Sequence, residues 1–205
     1  MLRHIIILMA VIWSIVPVEA KTLTGSQILD EAAKRVKATH SVTVTYDMSD
    51  GQQSSSGTLV IAGEKFHLSS PDLTVWYDGT TQWTFMPSSN EVNIVEPTPE
   101  ELAQVNPFVI ISSFRKAYNA KSLKAPAGKY RVDLTPVNAR GAYIKKATVT
   151  FNASTFMPER IELTTDTGTN MSILIKTLKT GTNYPSSTFV FNKKQYPKAE
   201  IIDLR

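Results

Sequence analysis

No cysteine occurs in the 205 residues, which excludes disulfides, thiolate metal sites and cysteine nucleophiles. The apolar N-terminal segment also ends without a cysteine that could carry a lipid, so no lipid anchor is expected on the chain itself. Histidine is almost as scarce. Beyond the first twenty residues only His40 and His67 remain, with no pair at metal-ligand spacing, and there is no Gly-x-Ser-x-Gly elbow. The net charge is only +4, with no basic run beyond pairs such as Lys145-Lys146 and Lys193-Lys194. A nucleic-acid footprint needs basic residues clustered on one face, so no nucleic-acid partner is expected. Fixed-period repeats, low-complexity tracts and interdomain linkers are missing too. No metal or cofactor is expected.

What is present begins with a targeting pattern. Arg3 and His4 precede an apolar run over residues 5–18, and Val18-Glu19-Ala20 supplies the small residues a signal peptidase reads. A spanning helix needs about 20 apolar residues, more than this run supplies, and no second such run follows. Residues 1–20 are therefore expected to be a cleaved secretory signal, Lys21 the mature N-terminus, and 21–205 a single soluble domain.

The mature chain opens with an amphipathic pattern. Thr24-x-x-Gln27 can form a capping box, and Ile28, Leu29, Ala32, Ala33 and Val36 make one apolar stripe, which predicts a helix over 24–38. Asp30 and Glu31 are expected in the early turns, where the helix dipole favours them. From residue 41 the period changes to two. Val42, Val44 and Tyr46 alternate with Thr43, Thr45 and Asp47, and Asp50-Gly51, Gly63-Glu64 and Asp78-Gly79 supply turns. About six antiparallel strands are expected between residues 43 and 95.

The stretch 73–95 carries most of the aromatic residues of this half. Leu73, Val75 and Tyr77 share one face of their strand, Trp83 and Phe85 one face of the next, with Pro87 and Ser88-Ser89-Asn90 marking a reversal. Together with Phe66 and Leu68, these are expected to line one concave apolar surface. His67 should face the other way.

Strand rhythm breaks at Pro97-Thr98-Pro99, where a short helix is expected to begin. A second helical stretch, 108–115, carries Phe108, Ile111 and Phe114 and reads either as a plug of the sheet or as a movable lid over a cavity. Strands resume over 129–135, 143–151, 159–165, 171–178, 188–191 and 199–202. The fold class expected is mainly β with α: an incomplete, unclosed antiparallel barrel of about 10–11 strands capped by 2–3 helices.

Ser113-x-x-Lys116 followed by Lys179-Thr180-Gly181 mimics two motifs of penicillin-recognising serine enzymes. The third, Ser-Asp-Asn, is missing and the strand-rich layout is wrong for that fold, so no catalytic residue is assigned. The chain reads as a binding protein rather than an enzyme.

Several features in order and spacing carry a family likeness. The N-terminal helix, Gly57-x-Leu59, Phe66, Tyr77-Asp78-Gly79-x-x-x-Trp83-x-Phe85-x-Pro87, Asn106-Pro107-Phe108 and the closing Phe189-x-Phe191 to Ile201-Ile202-Asp203 resemble the periplasmic outer-membrane lipoprotein carrier family, LolA. The resemblance implies a monomeric periplasmic carrier that holds lipoprotein acyl chains in an apolar cavity. It would take acylated lipoproteins from an inner-membrane ABC lipoprotein-release complex and pass them to an outer-membrane acceptor. The ligand-binding residues it implies are Phe66, Leu68, Leu73, Val75, Tyr77, Trp83, Phe85, Phe108, Ile111 and Phe114. A periplasmic stress sensor, RseB, shares that fold, so an envelope-stress sensing module is the alternative. Family members latch the lid through an Arg-Pro before the aromatic aligned with Phe66. Here that segment is Ala62-Gly63-Glu64-Lys65, which leaves Lys65 as the substitute.

Overall fold

Alternating apolar residues need a sheet with one covered face, and the chain builds a single large one. The computed structural model describes residues 23–205 apart from 107, 109, 110 and 112–114. The signal expected over 1–20, and with it Ser113 and Phe114, lies outside the described residues. Helix α1 (Gly25–Lys37) comes first, followed by β1 (Val42–Ser49), β2 (Ser54–Ala62), β3 (Lys65–Ser69), β4 (Thr74–Tyr77), β5 (Gln82–Met86) and β6 (Glu91–Val95). Then come α2 (Pro99–Val105), β7 (Tyr118–Leu123), β8 (Lys129–Pro136), β9 (Ile144–Asn152), β10 (Pro158–Thr165), β11 (Asn170–Thr180) and β12 (Glu200–Asp203).

The spatial order is β12-β6-β5-β4-β3-β2-β1-β11-β10-β9-β8-β7, a twelve-stranded sheet that does not close on itself. Six strands from β1 to β6 form the expected meander, and β11 returns beside β1 to carry the second half. All neighbours are antiparallel except β12, which lies parallel to β6.

Two elements differ from the sequence expectation. Tyr118–Leu123 is a strand that the sequence does not announce, because as an edge strand it turns only Tyr118 and Ala120 toward the core and exposes Asn119 and Lys121. Residues 188–191, expected as a strand, instead belong to a 3-10 turn, Ser186–Phe189, and the extended residues after it. No neighbouring strand pairs with them; Phe189 and Phe191 turn onto the sheet instead of alternating across it.

Helix α1 forms as expected. The Thr24 hydroxyl accepts from the Gln27 N–H at 3.2 Å, and the Gln27 side chain accepts from the Thr24 N–H at 2.9 Å. Ile28 and Leu29 are fully buried, each worth about 1.5–3 kcal/mol of transfer free energy. The helix lies against β7 and β8, so closely that a Cβ on Gly25 would sit 2.9 Å from the Ala120 and Lys121 backbone. Asp30 and Glu31 do not serve the helix dipole, since the first turn holds no acidic residue. Asp30 instead pairs with Arg115, and Glu31 with Lys34 and Arg35.

Residues directly opposite each other in an antiparallel pair point to the same face. The pairs Val42–Ile61, Val44–Leu59, Leu59–Leu68, Phe66–Tyr77 and Leu68–Val75 thus define one inner face. It continues through Ile173, Ile161, Val149 and Val132, all buried in one cluster with Ile28, Leu29 and Ala32 of α1. The outer face of β1–β6 carries Thr43, Val60, His67 and Trp76.

Candidate functional site

Turn length decides which aromatics share a face. The link between β4 and β5 is held by the Asp78 carboxylate, which accepts from the Thr80 and Thr81 N–H groups at 2.9 Å, while Gly79 takes φ +106°. It sets Tyr77 opposite Gln82 and Trp76 opposite Trp83. Phe66, Leu68, Leu73, Val75 and Tyr77 therefore meet on the inner face. Trp83 and Phe85 lie on the other side of the sheet, opposite Trp76 and Thr74. The single concave surface expected from the sequence is thus corrected to two aromatic surfaces, back to back. Alternation within a strand gives each residue's phase in that strand only; the turn supplies the phase between strands.

The outer surface is covered by the C-terminal segment. Tyr196 packs on Phe85 at 4.6 Å between ring centroids and on Trp76 at 5.5 Å, and Phe191 meets Trp76 at 5.5 Å. Each such aromatic pair adds about 0.5–1.5 kcal/mol beyond its area. Phe189 is 2% exposed, and β12 is tied on by the Asn90 amide donating to the Lys198 carbonyl at 2.7 Å. His67 stacks on Trp76 at 5.5 Å, and burial holds its imidazole below the usual 6.5.

The inner cluster has a further cover. Helix α2 is started by a second capping box, with the Thr98 hydroxyl accepting from the Glu101 N–H at 3.3 Å and Glu101 accepting from the Thr98 N–H at 2.7 Å. Leu102 and Val105 pack against the inner cluster. Asn106, buried, turns the chain by accepting from the Phe108 N–H at 3.1 Å. Phe108 and Ile111 then join the same cluster at 9% and 5% exposure. Residues 115–117 are helical, and the Arg115 guanidinium grips the Asp30 carboxylate of α1 with two nitrogens, Nε at 2.8 Å from Oδ1. This pair fastens the segment to α1. Lys65 does not: as the neighbour of Phe66 in β3 it points to the outer face, away from α2 and Phe108.

The structure therefore gathers Phe66, Leu68, Leu73, Val75, Tyr77, Phe108 and Ile111, and separates Trp83 and Phe85 from them. Phe66, Leu68 and Val75 are 2%, 6% and 0% exposed, so this surface is closed by protein. Two open grooves, about 440 and 420 Å³, are lined elsewhere, around Asp47, Ser56 and Lys176 and around Pro158, Leu174 and Thr177. The Tyr77 hydroxyl donates to the Gly79 carbonyl at 2.8 Å, and burial, with Glu64 and Asp78 nearby, raises its pKa above 10.0.

Sequence reasoning missed two amides on the inner face. Gln82 lies opposite Tyr77, and Asn93 lies opposite Thr84. Gln82 is 6% exposed, and its Nε2 donates to the Thr84 hydroxyl at 3.1 Å. Its Oε1 and the Asn93 Oδ1 are buried without a hydrogen-bond partner among the described residues. Polar residues at inner positions of β5 and β6, among Tyr77, Val75 and Phe66, were the signal available. Among the described residues there is no group of three or more His, Cys, Asp or Glu that could hold a metal, and no helix long and apolar enough to cross a membrane.

The family model described as outer membrane lipoprotein carrier protein LolA matches residues 18–167. Curated protein sequences contain no match to this chain. Among solved structures the chain is similar to an uncharacterized conserved protein from Thermus thermophilus, with TM-score 0.59 and 10% identity over 87% of this chain and 98% of that one. It is also similar to a DUF1329 family protein from Desulfovibrio piger, with TM-score 0.50 and 10% identity over 82% of this chain and 98% of that one. A LolA superfamily protein from Nitrosomonas europaea aligns at TM-score 0.47 and 15% identity over 83% and 99%. At such identities the likeness to the first two is one of fold.

Proposed function

The chain belongs to the outer membrane lipoprotein carrier protein LolA family, and from that membership we propose that it is a periplasmic carrier of lipoprotein acyl chains. The observation that carries this reading is the unequal covering of the sheet. The outer aromatic surface is sealed by a segment tied into the sheet as β12. The inner cluster is joined instead by a seven-residue helix, through Leu102 and Val105, and by Phe108 and Ile111, with an exposed ion pair to α1 beyond them.

Such a cap is cheap to move. A seven-residue helix is too short to be stable without its packing. An exposed ion pair is worth at most about 1 kcal/mol. Each acyl CH₂ that replaces Phe108 and Ile111 against Phe66, Leu68 and Val75 gains about 0.8 kcal/mol, so a long chain outweighs the opening. Binding then needs no catalytic group, and the protein works as a non-enzymatic shuttle. It receives acylated lipoproteins from an inner-membrane ABC release complex and delivers them to an outer-membrane acceptor.

The test is stoichiometric binding of a fluorescent fatty-acyl probe to the purified mature chain and its displacement by a triacylated peptide. Saturable, displaceable binding with capture of many lipoproteins supports the carrier. No saturable binding refutes it. Capture of a single membrane protein instead of many lipoproteins would favour a sensing module.

A further inference from the structure

Gln82 and Asn93 are diagonal neighbours across the β5–β6 pair, both on the inner face. A buried oxygen without a donor is destabilising, and native structures hold few of them. Here two occur together, beside the surface that the carrier reading assigns to acyl chains. The sheet itself cannot answer them. Val95 stands opposite Gln82, and the Thr84 hydroxyl, opposite Asn93, accepts from Gln82 Nε2 and makes no hydrogen bond to either oxygen.

We propose that Gln82 and Asn93 form a polar recognition point for the amide that joins an acyl chain to an amino group, an inference that rests on the carrier reading above. The chemistry is specific. A hydrocarbon tail has nothing to give a buried oxygen, and an ester has no N–H. A secondary amide carries both a donor and an acceptor, so it satisfies these side chains in either orientation. It is also the group at the head of an N-acylated amino terminus, at the point where the apolar chain ends. The inner face then reads as two zones: Phe66, Leu68, Leu73 and Val75 for the chain, and Gln82, Thr84 and Asn93 for its linkage. Outer-face residues Trp83 and Phe85 take no part.

The experiment compares two probes of equal chain length on the intact mature protein. One is an N-palmitoyl amino-acid methyl ester; the other is its ester isostere, with oxygen in place of the amide N–H. Wild type is expected to bind the amide roughly tenfold more tightly, the size of a hydrogen bond gained by a buried orphan group. Gln82→Met with Asn93→Leu should erase that preference while ester affinity stays within about twofold and the melting temperature changes little, because removing two unpartnered oxygens offsets the lost Gln82–Thr84 hydrogen bond. Equal affinity of wild type for the two probes overturns the recognition point and leaves the carrier standing. Binding of neither probe overturns the carrier reading itself. A preference that persists in the double variant places amide recognition elsewhere and refutes this assignment; the wild-type comparison needs no variant to fold.

Discussion

Replacing Phe108 by glutamate separates a lid from a core. Phe108 is 9% exposed and Val44, in central strand β1, is 1% exposed. A carboxylate at either position cannot stay buried without a partner, since the penalty is several kcal/mol. The two sites differ in how they can escape it. Phe108 lies between α2 and the Asp30–Arg115 pair, outside any strand, so on the lid reading it swings the introduced carboxylate into water at the cost of its own packing. Local openings of this kind cost far less than global unfolding, here about 1–2 kcal/mol. At about 2–4 °C per kcal/mol for a chain of this size, Phe108→Glu should lower the melting temperature by about 2–8 °C. Val44 is held between β2 and β11 and has no such exit, so Val44→Glu should cost at least about 4 kcal/mol, a fall of roughly 10 °C or more. Acyl-probe titration completes the comparison. Phe108→Glu should weaken binding at least tenfold in a protein that still melts cooperatively. If it unfolds the chain as badly as Val44→Glu, residue 108 is core and the lid reasoning fails.

Phe85→Ala should lower stability by about 2–4 kcal/mol through lost packing on Tyr196 and leave acyl affinity within about twofold; a large loss of affinity would return Phe85 to the binding surface. Asp30→Asn should speed amide exchange at residues 115–117 by less than about fivefold, an effect that salt reduces, because both partners are largely exposed. Equal acceleration throughout the sheet would show that the pair does not act on this segment. His67 is held neutral by burial, its pKa lowered from 6.5, so the unfolded chain takes up the proton first as pH falls. Stability should thus be complete above pH 6.5 and decline from there toward the lower folded value, and urea midpoints for His67→Gln should be flatter over that window. A wild-type midpoint that does not change between about pH 7.5 and 5.5 would contradict the burial of this imidazole against Trp76.

The sequence made the strands of the first half readable because apolar alternation and Asx-Gly turns agree there, as in Val42–Ser49 followed by Asp50-Gly51. The capping box of α1 was equally legible, since Thr24 and Gln27 carry it locally. What failed depends on partners outside the element itself. Edge strand β7 offers only Tyr118 and Ala120 as an inward apolar signal, too short to read, and β8 supplies its hydrogen bonds. Phe189-x-Phe191 looks like a strand, yet Phe191 is placed by Trp76 and Tyr196 and Phe189 by Tyr184. Within the candidate site, Phe66, Leu68, Leu73, Val75 and Tyr77 were legible as one face, whereas Trp83 and Phe85 were misassigned because facing depends on the turn over residues 78–81. Gln82 and Asn93 went unnoticed because a polar residue in an alternating strand ordinarily reads as solvent-facing.

The most direct measurement is residue-level mapping of an acyl chain that bears a photoreactive diazirine near its methyl end. Strands β3–β5 turn alternate residues to each side, so a crosslink reports the face as well as the strand. The account expects adducts on Phe66, Leu68, Val75 and Phe108, competed away by unlabelled triacylated peptide. Adducts confined to Trp83, Phe85 and Tyr196, or to the open groove beside Leu174, would contradict it.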